Sequence, residues 1–531
     1  MENILKKLQI FSELNFSKVS PCFWWAAGSS LVFGLFYHIS AITGWIANWD
    51  VIAHEISQYN YNHLIAQGKP LFPIMVKLLG SVSIGSLNSL MAIFFISIAS
   101  AILGNIFAIK TKLTALLMGA VLVTFPSVMC TFAYEMENVF FLSMLLAVIG
   151  TYFAQKESKR RNIVLAIIFI TVSLLTYQAY IGVAAAVLIF LCIYELLFTS
   201  SEISTVFRKG VKYILILLTS CVLYYVILNL YLDIKDMSLS GYRGIDQMQH
   251  VEFAQIPGLL IGTYQSVLGF FFKDQFGAIG YLNFRWLYCI ITLLFLVLIA
   301  LAIFKNKSQM KPIKLLLVTT LILILPFGVH LIAVLGQNSN THWLMKYPFV
   351  LIFVFGLVLA EKTLTTFDDG SVQKEKIGRL QIYLPVLVWA LIAVQLFQWF
   401  VLTNAGYTRL RLGYEADYAA AVQIKTDLTN VEGFDVSSEV MFVEPFSLSS
   451  KDQLYYMQPY TGVSNGENFY AYYHFPKMME CYLGMSYKGV SSDLREEIKS
   501  TEEFMKMPCF PAHGYIKKIN DVIVVKLGEG S

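Results

Sequence analysis

Between about Phe23 and Leu402 the chain repeats one feature: apolar runs close to the length of a membrane span, separated by polar connections. Crossing about 30 Å of hydrocarbon takes roughly 20 residues of α-helix. In lipid, only a helix or a closed barrel satisfies every backbone hydrogen bond internally. The chain is therefore expected to fold as an α-helical polytopic membrane protein. Composition agrees, since 57% of the 531 residues are hydrophobic and only 14% are charged, against about 25% charged in soluble domains. Lys and Arg number 39 against 35 Asp and Glu, and that balance carries no basic footprint for nucleic acid.

Spans are expected to begin near Phe23, Phe72, Leu113, Asn138, Ile163, Ile181, Tyr213, Trp286, Leu315, Pro348 and Ile382, about eleven in all. The first follows Lys6, Lys7 and Lys18 and lacks a small-residue cleavage site, so it reads as an uncleaved span. Basic residues crowd every second connection: Lys110/Lys112, Lys156–Arg161, Arg208–Lys212, Lys305–Lys314 and Lys362–Arg379. Cationic loops stay cytoplasmic, which puts the N-terminus inside and the C-terminal segment outside. The apolar segment Ile256–Phe272 breaks this alternation if counted as a span. Pro257, Gly258, Gly262 and Gly269 favour a re-entrant or interfacial helix on the outer side.

Residues 403–531 read differently. Glu415–Leu428 has helical periodicity, while Glu439–Val443 and Val522–Lys526 read as strands between turn-rich clusters. The expected division is a membrane domain, 1–402, and a small extracytoplasmic α/β domain, 403–531. Of the seven cysteines none forms a CxxC pair. Cys481 and Cys509 fall in the C-terminal segment, where an oxidising compartment would permit a disulfide.

The first outer connection holds the densest chemistry: Asn48-Trp49-Asp50, then His54-Glu55, then Gly68-Lys69-Pro70. On a helix Asp50 and His54 share a face, whereas Asp50 and Glu55 diverge. One carboxylate with a supporting neighbour is what deprotonating an alcohol requires, which makes Asp50 the candidate base with His54 and Glu55 beside it. Glu135 and Glu137 in the second outer connection offer a second acid. Thr176-Tyr177-Gln178-Ala179-Tyr180 is a polar, aromatic turn between apolar helices, and Tyr177, Gln178 and Tyr180 can bond sugar hydroxyls. Cations on the outer side go against the inside bias and call for anionic partners. Lys346 comes first, one helical turn after His342; Lys69, Arg243 and Arg285 follow, and any of them would suit a lipid phosphate. Each of these residues also has a plainer reading as a belt anchor, a snorkelling side chain or a solvated loop residue. No nucleotide-binding, zinc-protease or serine-hydrolase motif is present, so an activated substrate would arrive on lipid.

In this pattern the chain resembles the polytopic Gtr-type glucosyltransferases of O-antigen serotype conversion, within the GT-C superfamily. The stretches that carry the resemblance are the acid-bearing first loop leading to Gly68-Lys69-Pro70, the run Phe125-Pro126-Ser127 to Phe132-Ala133-Tyr134, and the Tyr177-Gln178-Ala179-Tyr180 turn. Two departures stand out. Asp50 follows Trp49 rather than a second aspartate, and Gly68-Lys69-Pro70 replaces the family's Gly-Arg-Trp, which keeps the charge without the bidentate fork. The resemblance implies a GT-C-like catalytic domain in a bacterial cytoplasmic membrane. It implies a polyprenyl-phosphate-sugar donor, a cell-surface glycopolymer acceptor, an outer-loop Asp base, inversion at the anomeric carbon and no cofactor. Two other functions fit the layout. A lipid-linked sugar flippase would place charges mid-membrane and often repeat its halves, and a polysaccharide polymerase would use arginine-rich outer loops.

Overall fold

The structure is a computed structural model that describes residues 22–44, 48, 51, 62–78, 85–241, 255–273, 284–306, 310–335, 341–365, 377–443, 463 and 475–528. Among them, eight helices are long and apolar enough to cross a membrane. A ninth follows if Lys112–Thr124 and Pro126–Phe132, bent by 41°, make one span. The expected count of about eleven differs from these nine by helices just under 18 residues long. Pro126 lacks an N–H and forces Phe125 out of helical geometry, which produces the bend. Cys22–Tyr37 and Arg160–Thr176 have only 16 and 17 residues. The run expected from Phe72 yields a short helix, Phe72–Leu78, and the long one begins at Gly85.

Burial separates core helices from lipid-facing ones. The apolar windows of Gln178–Phe198 and Trp343–Leu364 are each 78% buried, whereas that of Ile203–Lys235 is 22% buried. Ile256–Phe272 is one unbroken helix, which its glycines do not interrupt. It packs on Pro312–Val329, with the Tyr264 hydroxyl donating to the Leu323 carbonyl.

The basic connections meet at one end of the bundle. Glu361 accepts from the Lys110 and Thr111 amides and from the Thr111 hydroxyl, at 2.7, 3.1 and 2.6 Å. Lys362 donates to the Ala108 carbonyl and lies over the Tyr194 ring. Lys209 pairs with Glu195 at 2.7 Å, Lys212 reaches the Lys156 carbonyl and Asn306 the Leu197 carbonyl. The acidic and aromatic connections gather at the other end.

The last helix, Ile377–Thr429, runs unbroken for 53 residues, about 80 Å at 1.5 Å per residue. The division expected at Leu402 falls inside it. Beyond it stands a four-stranded sheet ordered β2 (Lys488–Gly489), β1 (Glu439–Val443), β4 (Val522–Lys526) and β3 (Ile516–Ile519). β1 runs parallel to β2 and β4, and β3 runs antiparallel to β4. One core joins the end of the long helix (Ala420, Ala421, Ile424, Leu428) to the sheet and to Val51. No disulfide joins Cys481 and Cys509.

Candidate active site

Four segments converge at the end of the bundle away from the basic loops: 62–72, 126–139, 177–180 and 341–349. Asn62–Ala66 is a single helical turn closed by Gly68 at φ +77°. The Gly68 and Lys69 amides donate back to Ile65 and Leu64 at 2.8 and 2.9 Å, a left-handed cap that glycine alone adopts without strain. Two distant side chains grip this cap. The Tyr224 hydroxyl, from the lipid-facing helix Ile203–Lys235, donates to the Gly68 carbonyl at 3.0 Å. Gln178 Nε2 donates to the Gln67 carbonyl at 2.7 Å. A Cβ on Gly68 would stand 2.6 Å from the Tyr224 hydroxyl and 2.7 Å from Gln178 Nε2.

The clamp orients Lys69. Its side chain is buried, with Nζ 4.9 Å from the Phe140 ring centre and 5.3 Å from that of Tyr177. Those rings stack at 3.9 Å. The polar contact of Nζ is the Gln67 amide oxygen at 3.3 Å, and Lys69 makes no ion pair. Burial pulls the ammonium below its usual range, and nearby Glu137 opposes that shift. A buried ammonium held by ring faces and one amide is suited to receive an anion.

The second segment places Glu135 and Glu137 on the turn Glu135–Val139. Glu135 is buried against Gly85, where a Cβ would stand 2.7 Å from its carboxylate. Ser127 donates to the Trp343 carbonyl at 2.7 Å, pinning this segment to 341–349. The ring contacts of Tyr180 with Tyr177 (5.0 Å) and with Tyr347 (5.6 Å) link the Lys69 pocket to the Lys346 segment.

At 341–349 the expected pairing of His342 with Lys346 is corrected. His342 is extended, and Trp343–Phe349 is a 3₁₀ helix. With three residues per turn, Lys346 eclipses Trp343 rather than His342, and its Nζ lies 5.3 Å from the Trp343 ring centre. Lys346 is half-buried and makes no ion pair. Arg285 is exposed, with its guanidinium over the Trp286 ring. Asp50, His54, Glu55 and Arg243 lie outside the described residues. Asn48 and Val51, which flank Trp49 and Asp50, are both buried, and Asn48 Oδ1 accepts from the Val51 amide at 3.1 Å.

The structure therefore brings Lys69, Glu135, Glu137, Tyr177, Gln178, Tyr180 and Lys346 into one assembly. Tyr177, Gln178 and Tyr180 are buried as its floor, with Gln178 Oε1 unpartnered. Sequence reasoning missed Tyr224, which sits mid-helix among lipid-facing residues. It also missed His38, whose ring bonds the Tyr407 hydroxyl at 2.6 Å and the Val123 carbonyl at 2.9 Å, tying the first helix to the last. Among the described residues no three His, Cys, Asp or Glu side chains are grouped to hold a metal.

A family model described as Glucosyl transferase GtrII matches residues 50–356. The match covers more than half of the chain, which belongs to that family and is a glycosyltransferase. It begins at Asp50 and takes in all four converging segments; the sheet domain lies beyond it. No curated protein and no solved structure matches the chain.

Proposed function

We propose that this GtrII-family enzyme transfers a hexose, glucose on the family's description, from an undecaprenyl-phosphate-linked donor to a hydroxyl of a cell-surface polysaccharide or teichoic-acid-like polymer. Transfer takes place on the outer face of a bacterial cytoplasmic membrane. The observation that carries this reading is Lys69: a buried ammonium that makes no ion pair among the described residues, fixed by a two-sided clamp inside the family-matched region. The gathering of the basic loops at the opposite end supports an outward-facing site with the sheet domain outside.

In this reading Asp50, with His54 and Glu55 nearby, takes the proton of the acceptor hydroxyl. The acceptor oxygen attacks the anomeric carbon from the face opposite the phosphate, so the configuration inverts. The departing phosphate gains negative charge as the glycosidic bond breaks. Lys69 and Lys346 stabilise that charge more in the transition state than in the ground state. Arg243, Arg285 and His342 are the second candidates for that task. Gln178 Oε1, left open by the clamp, accepts from a sugar hydroxyl between Tyr177 and Tyr180, and Glu135 and Glu137 tune the field around Lys69.

The test is transfer itself. Purified protein is incubated with radiolabelled undecaprenyl-phosphate glucose and cell-wall polymer, and label is counted in the polymer. Wild-type protein moves label, and Asp50→Asn lowers the rate by about two orders of magnitude or more, the usual range for loss of a general base. If Asp50→Asn retains wild-type turnover while Glu55→Gln abolishes it, the base is Glu55. Label that crosses the bilayer without entering the polymer would make the protein a flippase instead.

A further inference from the structure

Asp417 stands where three parts of the molecule meet, and nothing in the proposed chemistry uses it. It lies about 22 Å of helix beyond Leu402 at 1.5 Å per residue, past the apolar stretch of Ile377–Thr429. The buried stripe of that helix passes from the membrane core (Tyr407, Leu410) through Asp417 to the sheet-domain core (Ala421, Ile424). Asp417 is 2% exposed, and neither of its carboxylate oxygens has a hydrogen-bond partner. Buried polar groups in native proteins are satisfied in the great majority of cases, so an exception calls for a reason.

Its surroundings narrow that reason. Among the described residues no cation pairs with the carboxyl: Arg411 pairs with Glu415 at 2.8 Å on the exposed face. Lys425 is held by the Leu483 carbonyl at 2.6 Å, and Lys477 pairs with Glu480 at 2.9 Å. Burial alone pushes the carboxyl up to about 8, which keeps it protonated near neutral pH. A neutral carboxylic acid both donates and accepts, and it suits a neutral hydroxylated ligand better than an ion. Tyr414, one turn before it, lies against the Tyr482 ring at 5.9 Å and the Tyr418 ring at 6.3 Å. A buried carboxyl without a partner, close to aromatic rings, combines stacking surface for a sugar ring with a grip on one of its hydroxyls.

We propose that Asp417 is a positioning residue on the acceptor side, binding a hydroxyl of the acceptor glycan where the last helix packs with Val51 and helix Phe475–Leu483. The proposal rests on the glycosyltransferase reading and adds an acceptor subsite outside the family-matched region. An acceptor held there lies close to Val51, which belongs to the same core.

The test is glycan binding without donor. Unmodified glycopolymer, purified from cells lacking this protein and fluorescently labelled, is titrated into full-length protein in nanodiscs. Asp417→Leu removes the carboxyl and fills its volume; Asp417→Asn keeps a donor and an acceptor. Asp417→Leu is expected to weaken binding about tenfold or more, as the loss of a buried polar contact predicts, while its Tm equals or exceeds that of the wild type. Asp417→Asn stays within about threefold of wild type, since its amide still makes hydrogen bonds. Polymer binding by Asp417→Leu equal to that of wild type, with a folded protein by Tm, overturns the proposal. A wild-type protein that binds no polymer, yet still consumes labelled donor, overturns the acceptor assignment and the subsite with it. Loss of donor affinity in Asp417→Leu matching the loss of polymer affinity would assign the residue to general architecture and reject the subsite.

Discussion

The two ends of the helix bundle hold the same kinds of charged side chain in opposite states. At the basic end Glu361 accepts three hydrogen bonds, Lys362 donates to a carbonyl, and half-buried Glu195 pairs with Lys209, with buried Lys314 the exception. At the other end Lys69 has ring faces and an amide, Lys346 has the Trp343 ring, and Gln178 Oε1 and both oxygens of Asp417 have no partner. An uncompensated charge or polar group costs stability in any buried setting. One end is finished architecture, and the other keeps bonding capacity that a ligand completes. Composition does not distinguish them, because lysines and glutamates occur at both.

The largest effect expected from this contrast is at the finished end. Glu361→Ala strands the Lys110 and Thr111 amides, and should cost about 3 kcal/mol of stability with kcat preserved, measured by thermal unfolding and by turnover in nanodiscs. A stable Glu361→Ala protein would break the comparison. Gly68→Ala should act in the reverse sense. Its Cβ meets both arms of the clamp, and a shift of about 1 Å at Lys69 lowers turnover about 100-fold with a smaller change in Tm; steady-state kinetics decides it. Smallest is Lys346→Met, which sharpens the comparison by asking how far the open region extends. It should lower turnover about tenfold together with donor affinity, and Lys346→Arg should retain part of both. Unchanged kinetics in a folded Lys346→Met protein would confine the phosphate site to Lys69.

Much of the fold is legible in the chain because its signals are local. Apolar run length marks the helices, and the strands Glu439–Val443 and Val522–Lys526 end where their apolar runs meet turn residues. The span count is less legible at its margins, where a Phe125–Pro126 bend divides one apolar run and two helices have only 16 and 17 residues. At the site, residue types could be read but not their geometry. His342 and Lys346 are four apart, a shared face only if the turn is α-helical, and the segment is 3₁₀. Gln178 could be read as a sugar ligand, whereas its amide nitrogen instead holds Gln67, 111 positions away in sequence. Tyr224 acts across 156 positions, a relation no local pattern encodes. Asp417 escaped because nothing local separates it from Glu415, two positions away on the same helix, yet Glu415 is exposed and Asp417 is buried.

The central claim is that the open end, not the satisfied end, carries the transfer reaction, with Lys69 stabilising the donor phosphate. One paired measurement addresses it most directly: kcat, donor KM and Tm for Lys69→Met and Lys362→Met, each in nanodiscs beside wild type. Both lysines are buried and both sit near an aromatic ring, so loss of packing is matched between them. The account predicts that Lys69→Met lowers kcat about tenfold or more and raises donor KM, with Tm equal to or above wild type. Lys362→Met should lower Tm and leave kcat within about twofold, because its hydrogen bond is structural. A Lys69→Met enzyme with wild-type kcat and donor KM but a lowered Tm would contradict the account.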